Sequence, residues 1–462
     1  MSRLSHLNLK PIVLSTLVLL VLLTGCGNLE SARVQAQKSQ STKTPPAGCS
    51  TAATPQNAAT AKVAYTVSWE ANAQDADNNT GISTLHVSAL DVTSGKLLWQ
   101  KQPTKISAMY QSSLQQLANG VLYIAALGSG QNTPILAVDT RDGHVIWQYA
   151  EKQGNVSEMD ICSGKIYLLL GQTAVKVLRA SDGKSLWSYS DSTAALSSQL
   201  IVTEKALYVA EQKMVSPTSV NWALVALGTD HGNVLWKKSY GDQQLPRLSL
   251  ATNGQDIYVL KQTPIKPSTD LQTPIASIQA LSGQSGKVLW TTKMPSNMEQ
   301  INTSEIGNTL YLNGQDLVSQ SQSLLVALNA STGKQLWQRQ HSYDQISILN
   351  EQDIYAYKGY AMSDASNAKK QICSLDSTTG KERWCIDSIQ PSLFSLSTTP
   401  QVTLVEETLQ PNTMTLVQNI YAVNKQNGKI LWKLPWKSSV ASAQTLTLVT
   451  LVDQQSLKIL MP

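Results

Sequence analysis

The chain has 462 residues, 36 basic against 31 acidic, a formal charge of +5, with only 15% charged and 42% apolar residues. So even a balance, without a basic stripe, excludes a surface built to neutralise nucleic-acid phosphates. The apolar share suffices for a large core, and Gln, Ser and Thr carry most of the polarity.

At the N-terminus Arg3 and Lys10 precede an apolar run from Ile12 to Leu23, interrupted only by Ser15 and Thr16. As a helix it would be about 18 Å long, short of the ~30 Å bilayer core, so it reads as a secretory signal rather than a spanning helix. It ends in Leu23-Thr24-Gly25-Cys26. This resembles the bacterial lipobox, which implies a signal peptide over 1–25 and a diacylated Cys26 as the first mature residue. Two or more acyl chains are needed for a stable anchor. Gly27 is not an acidic residue and gives no reason for retention at the inner of two membranes. Residues 26–61 are rich in Ser, Thr, Ala, Gln and Pro, as in Ser39-Gln-Ser-Thr-Lys-Thr-Pro-Pro46. They cannot bury enough apolar surface to offset their ordering entropy, and read as a flexible tether with an end-to-end distance of about 30 Å.

The folded part, 62–462, is written as repeats. A Gly stands four residues before Trp99, Trp147, Trp187, Trp236, Trp290, Trp337, Trp384 and Trp432, and successive tryptophans lie 40 to 54 residues apart. Such a period marks a repeat architecture. Each repeat opens with a short apolar run, most with Tyr, as in Val121-Leu-Tyr-Ile-Ala125 and Asp256-Ile-Tyr-Val-Leu260. These runs suit strands buried on both faces. A second strand ends in Ala-x-Asp or a variant, followed by a tight turn and the Trp strand. Asp91, Asp139 and Asp376 can accept turn amides, as can Asn329 and Asn424, whereas Arg179, Gly228 and Ser282 break the pattern. Ten residues before each Trp stands a small residue or Val: Ala89, Ala137, Val177, Ala226, Ala280, Ala327, Ser374 and Ala422. It clears space for an indole. Burying that indole is worth roughly 4–6 kcal/mol at most. The eight tryptophans are therefore read as packing residues.

Small residue, Asp, Thr or Ser, Gly, Lys and Trp at these offsets resemble the repeat of the pyrroloquinoline-quinone (PQQ) propeller family, over essentially all of 62–462. The resemblance implies an all-β, eight-bladed β-propeller of four-stranded antiparallel blades, with each Trp docked against a neighbouring blade. The first repeat, beginning near Val63, lacks an inner strand. Thr445–Val452 is expected to supply it and close the ring, which removes exposed edges. Leu457–Leu460 is surplus to eight tidy blades.

Quinone-dependent dehydrogenases of this fold carry an adjacent Cys-Cys pair and an acid-plus-calcium constellation. The cysteines here stand at 26, 49, 162, 373 and 385, none adjacent, and no position carries that constellation. Asp75-Ala-Asp-Asn-Asn79 lacks the Gly and the acid of a calcium loop. No catalytic residue, cofactor or metal ligand is therefore expected. Cys373 and Cys385 lie on the two arms of the seventh hairpin, at a cross-strand spacing a disulfide accepts. Cys49 and Cys162 remain as a second pairing, one of them in the tether. The variable stretches Glu70–Ser83, Glu211–Asn221, Lys261–Ala276, Lys358–Gln371 and Glu406–Asn419 read as loops sharing one face of the disc, where recognition collects.

Lipobox, tether and eight repeats together resemble the BamB family of outer-membrane assembly lipoproteins. That resemblance implies a monomeric, non-enzymatic scaffold, anchored in the envelope through its lipid and binding a protein partner through the loop face. Its place would be the outer membrane, or the outside of the cytoplasmic membrane as a surface receptor if there is only one. The alternative is a propeller that binds a quinone or sugar, with dehydrogenase-type activity.

Overall fold

The outer strand of a repeat lies at a rim, and the strand one step further in is more deeply buried. Val145–Glu151, which carries Trp147, shows successive residues half-buried and exposed up to buried Glu151, whereas Thr133–Asp139 beside it is buried throughout. An element covered on both faces next to one at a rim is what radial stacking of small sheets produces. The computed structural model describes residues 63–456 apart from 73–81, 107–109, 129–132, 153, 217–218, 244–246, 263–275, 296–297, 317–322, 344, 349–353, 359–370, 388–395, 399–400, 413–414, 438–446 and 453–454. The described residues are all β, with no helix, and all belong to one compact unit, 41–461. The signal peptide and tether expected over 1–25 and 26–61 lie outside them.

Seven blades are consecutive four-stranded antiparallel sheets: 110–151, 156–189, 195–243, 247–293, 298–341, 345–386 and 396–437, numbered two to eight here. In each, the first strand lies innermost and the Trp strand outermost. The first blade is a composite. Val63–Asn72, Ile82–Asp91 and Leu97–Ile106 come from the N-terminal side, and the inner strand, Thr447–Val452, comes from the other end of the chain. Tyr65 pairs with Val449 and Val67 with Thr447. The surplus segment begins with Gln455–Ser456, which adds a fifth strand inside Thr447–Val452. Residues 457–460 lie outside the described residues.

Each seam between blades has its own apolar cluster. Tyr65, Leu85 and Val87 of blade one meet Leu122, Ile124 and Leu136 of blade two, and Trp99 covers them. Between blades eight and one, Leu404, Ile420 and Ala422 meet Ala64 and Leu90 beneath Trp432.

The repeat turn accounts for its residues. Asp91 N–H donates to Lys96 O at 2.9 Å, Gly95 N–H to Asp91 O at 2.8 Å, and Ser94 N–H to Asp91 Oδ1 at 2.8 Å. Gly95 sits at φ 71°, and the register shifts between Ala89 and Leu90, as in a glycine bulge. Trp99 then stands directly opposite Ala89. The same glycines face the previous blade's indole: a Cβ on Gly333 would lie 2.5 Å from the Trp290 ring.

The indoles are half-buried rather than buried, because they sit at the rim. Their N–H groups complete the seam. Trp147 donates to Ala180 O at 2.9 Å, Trp290 to Ala330 O at 3.0 Å, and Trp432 to Val92 O at 2.8 Å. The repeated Tyr shares this acceptor: Tyr123 also donates to Ala180 O, and Tyr208 joins Trp236 on Gly283 O. Trp187, Trp337 and Trp384 donate likewise to Thr229 O, Ser377 O and Lys425 O.

Candidate protein-docking face

The Gly turns of all blades lie at one end of the strands, and the hairpins joining second and third strands lie at the other. At the hairpin end the blades differ. In blade three those strands have six residues each, whereas in blade four Ala206–Ser216 has eleven and Ser219–Gly228 ten. Blade eight is similar, with Val402–Asn412 and Thr415–Asn424. Two expected loops, 211–221 and 406–419, are thus mostly paired strand. In blade four the extension rests on a small core of its own: Ala210, Val220 and Trp222, with Tyr240 packed against them. Loop segments 73–81, 263–275 and 359–370 lie outside the described residues.

Buried carboxylates stitch blades two to four at the same end. Glu151 is fully buried and accepts from Lys176 Nζ at 2.8 Å and Tyr149 OH at 3.1 Å, joining blades two and three. Burial disfavours the Lys176 ammonium, but Glu151 and Tyr149 more than offset this and raise its pKa. Glu211 accepts from Tyr189 of blade three and Lys237 of its own blade, and burial with that carboxylate pushes the Tyr189 phenol up. Glu407 accepts from Asn419 at 2.8 Å and Tyr421 at 2.6 Å within blade eight. Side chains also bridge the inner strands: Gln116 donates to Asp160 Oδ1 at 3.1 Å, and Gln199 Nε2 donates to Leu250 O at 2.9 Å. A buried charge is tolerated when it is paired and hydrogen-bonded, as Glu151 is with Lys176 and Glu211 with Lys237.

A cleft of about 340 Å³ opens between blades six and seven, lined among others by Arg339, His341, Tyr343, Lys381 and Glu382. Tyr343 OH donates to Glu382. Tyr343 N–H donates to His341 Nδ1 at 3.2 Å, so the ring proton belongs on Nε2, 3.3 Å from Asn313 Oδ1. Burial holds His341 at about 4, below its usual 6.5. Above pH 6.5 this carries no penalty. Between 6.5 and about 4 the unfolded chain takes up the proton and the folded ring does not, so stability falls with pH. Allowing for the ring's partial exposure, the loss is about 2 kcal/mol. His341→Gln should remove that part of the acid dependence in thermal melts between about pH 7 and pH 4.5. Parallel slopes for the two proteins would show that the ring is not buried as described.

Cys373 and Cys385 are paired across strands Gln371–Leu375 and Glu382–Ile386, and their sulfurs are bonded. Cys162 ends the inner strand of blade three, buried and disulfide-bonded. Cys49 and Cys26 lie outside the described residues. Two groups have metal-ligand spacing among the described residues, and both are engaged. Glu382 with Cys373 and Cys385 includes the disulfide, and Asp139, Asp142 and His144 lie in a turn where Arg141 holds Asp139 near 2 and His144 lies 2.6 Å from Asp142.

The family model described as outer membrane protein assembly factor BamB matches residues 83–261 and 275–457. Curated relatives include the outer membrane protein assembly factor BamB of Yersinia pestis, 27% identical over 112 residues, and that of Salmonella typhimurium, 29% identical over 112 residues. Each alignment covers 23% of this chain and 27% of the relative, so the match spans about a quarter of the relatives' length. Similar solved structures include BamB from Moraxella catarrhalis, at 14% identity and TM-score 0.45, covering 76% of this chain and 98% of that one. Another is the quinohemoprotein alcohol dehydrogenase ADHIIG from Pseudomonas putida HK5, at 13% identity and TM-score 0.47, covering 74% and 71%. Because the family match runs over well more than half of the sequence, the chain belongs to the outer membrane protein assembly factor BamB family.

Proposed function

We propose that this protein is a lipid-anchored, non-enzymatic scaffold of the bacterial envelope, holding a protein partner on the hairpin face of its ring. The observation that supports this most is the unequal length of the hairpins at one end of an otherwise regular disc. A rigid ring with uneven elements on one face offers a shaped surface, while the buried carboxylates Glu151, Glu211 and Glu407 are each engaged by neighbouring side chains. Family membership points to outer-membrane assembly as the process served. Cys26 is the proposed lipid attachment and 26–61 the tether. The folded part acts as a monomer, without a cofactor.

The test is photo-crosslinking in cells, with the crosslinker placed in turn on the hairpin face and on the Gly-turn face, followed by mass spectrometry. A reproducible partner from the hairpin positions and none from the turns is expected. Equal yield from both faces, or none, rejects the reading. Cys26→Ala should release the protein from the membrane fraction; retention there would remove the anchor from the proposal.

A further inference from the structure

Blade four presents to blade five a surface that the seams do not use up. By strand register, Met214 lies beside Val220 and Trp222 beside Gly241, on the face that carries Tyr240 and Lys238. Met214 is 63% exposed at the hairpin tip, next to Val215 at 53%. Below them Trp222 is buried, and among the described residues its Nε1 has no hydrogen-bond acceptor. Beside it, Lys261 of blade five lies 4.7 Å from the Tyr240 ring centroid, and Lys238 lies 5.9 Å from the same ring. Among the described residues neither ammonium has a carboxylate partner, in contrast to Lys237 one position away, which is paired with Glu211. Burial, then the charge of Lys238, lowers the Lys261 pKa. Two cations beside one aromatic ring are each stabilised by its quadrupole but repel each other. An anion between them would relieve that repulsion.

We propose that this face of blade four is a docking surface for an acidic peptide segment of a protein partner, with a carboxylate between Lys238 and Lys261 and an apolar side chain against Met214. The inference rests on the scaffold reading and adds the chemistry of the segment recognised. The other anionic surface in an envelope is a phospholipid membrane, and the register argues against it. Val63, where the tether joins, pairs with Asp91 at the Gly-turn end of its blade, whereas Met214 lies at the hairpin end.

The test uses the purified full-length chain and a fluorescein-labelled peptide of alternating Glu and Leu, followed by anisotropy. A peptide of alternating Lys and Leu and vesicles of phosphatidylglycerol form the other arms. Saturable binding of the acidic peptide is expected, weakening with salt. Lys238→Gln with Lys261→Gln should weaken it about tenfold, and Met214→Ser to a smaller extent, with thermal melts unchanged. No acidic-peptide binding, equal binding by both peptides, indifference to the double variant, or binding of vesicles alone would each overturn the proposal. Crosslinks from other hairpin positions in cells would leave the scaffold reading standing even then.

Discussion

A chain ending at Lys437 is expected to lose cooperative folding and to associate. It lacks Thr447–Val452, so the backbone of Ala64–Val67 becomes an open edge beside the inner strand of blade two. An unpaired, apolar edge is a template for another chain. Blade one would keep three strands, tied to blade eight by the apolar cluster of Ala64 and Leu90 with Leu404 and Ile420 and by the docking of Trp432 on Val92. Calorimetry should show a broad, diminished transition, and gel filtration a shift to large species. A synthetic peptide covering 438–462 should restore part of the transition. A truncated chain that remains monomeric with an unchanged midpoint would mean that the ring does not depend on this strand.

The second large effect is expected at the seams. Trp290→Ala should cost about 3–5 kcal/mol, the range for removing a large aromatic from a packed site. Its indole covers the seam cluster of blades five and six, contacts Gly333, and donates to Ala330 O. Trp290→Phe keeps most of the area and loses the donor, so about 1–2 kcal/mol is expected. Gly333→Ala approaches the same seam from the other side: φ is 69° and the new Cβ would meet both the Trp290 ring and Thr292 Oγ1. Urea denaturation of the three variants checks the order. A Trp290→Ala cost below about 1 kcal/mol would show that the seam is held mainly by its buried aliphatic residues.

Legible in the residues alone is whatever the repeat writes eight times. Gly at the bulge, a small residue opposite Trp, and Trp itself recur at fixed offsets because one local geometry serves every blade. Closure by the C-terminal strand follows from counting strands in the first repeat. The tyrosines are visible in the pattern but their role is not, since only the assembled seam brings Tyr123 and Trp147 to the same carbonyl of Ala180. Glu211 illustrates the limit. Its partners Tyr189 and Lys237 lie 22 and 26 residues away on either side, and most other repeats fill those positions with other residue types. The stretch 211–221 reads as a loop because Lys213, Ser216 and Pro217 resemble turn composition. The pairing of Gln212 with Trp222 beside the small core of Ala210 and Val220 overrides that local preference.

The composite first blade also sets an order of events in time. Trp432 and Val92 are 340 residues apart, yet the last seam is incomplete until they meet, and the first blade until Thr447–Val452 pairs with Ala64–Val67. Hairpins within blades two to eight can form as each emerges, since their contacts are local. Until the last residues are delivered, however, the nascent molecule remains an open arc with two unsatisfied ends. A protein that reaches its destination by export would spend that interval outside the cytoplasm. Its yield should then be governed by whatever shields Tyr65 and Val67 before the tail arrives.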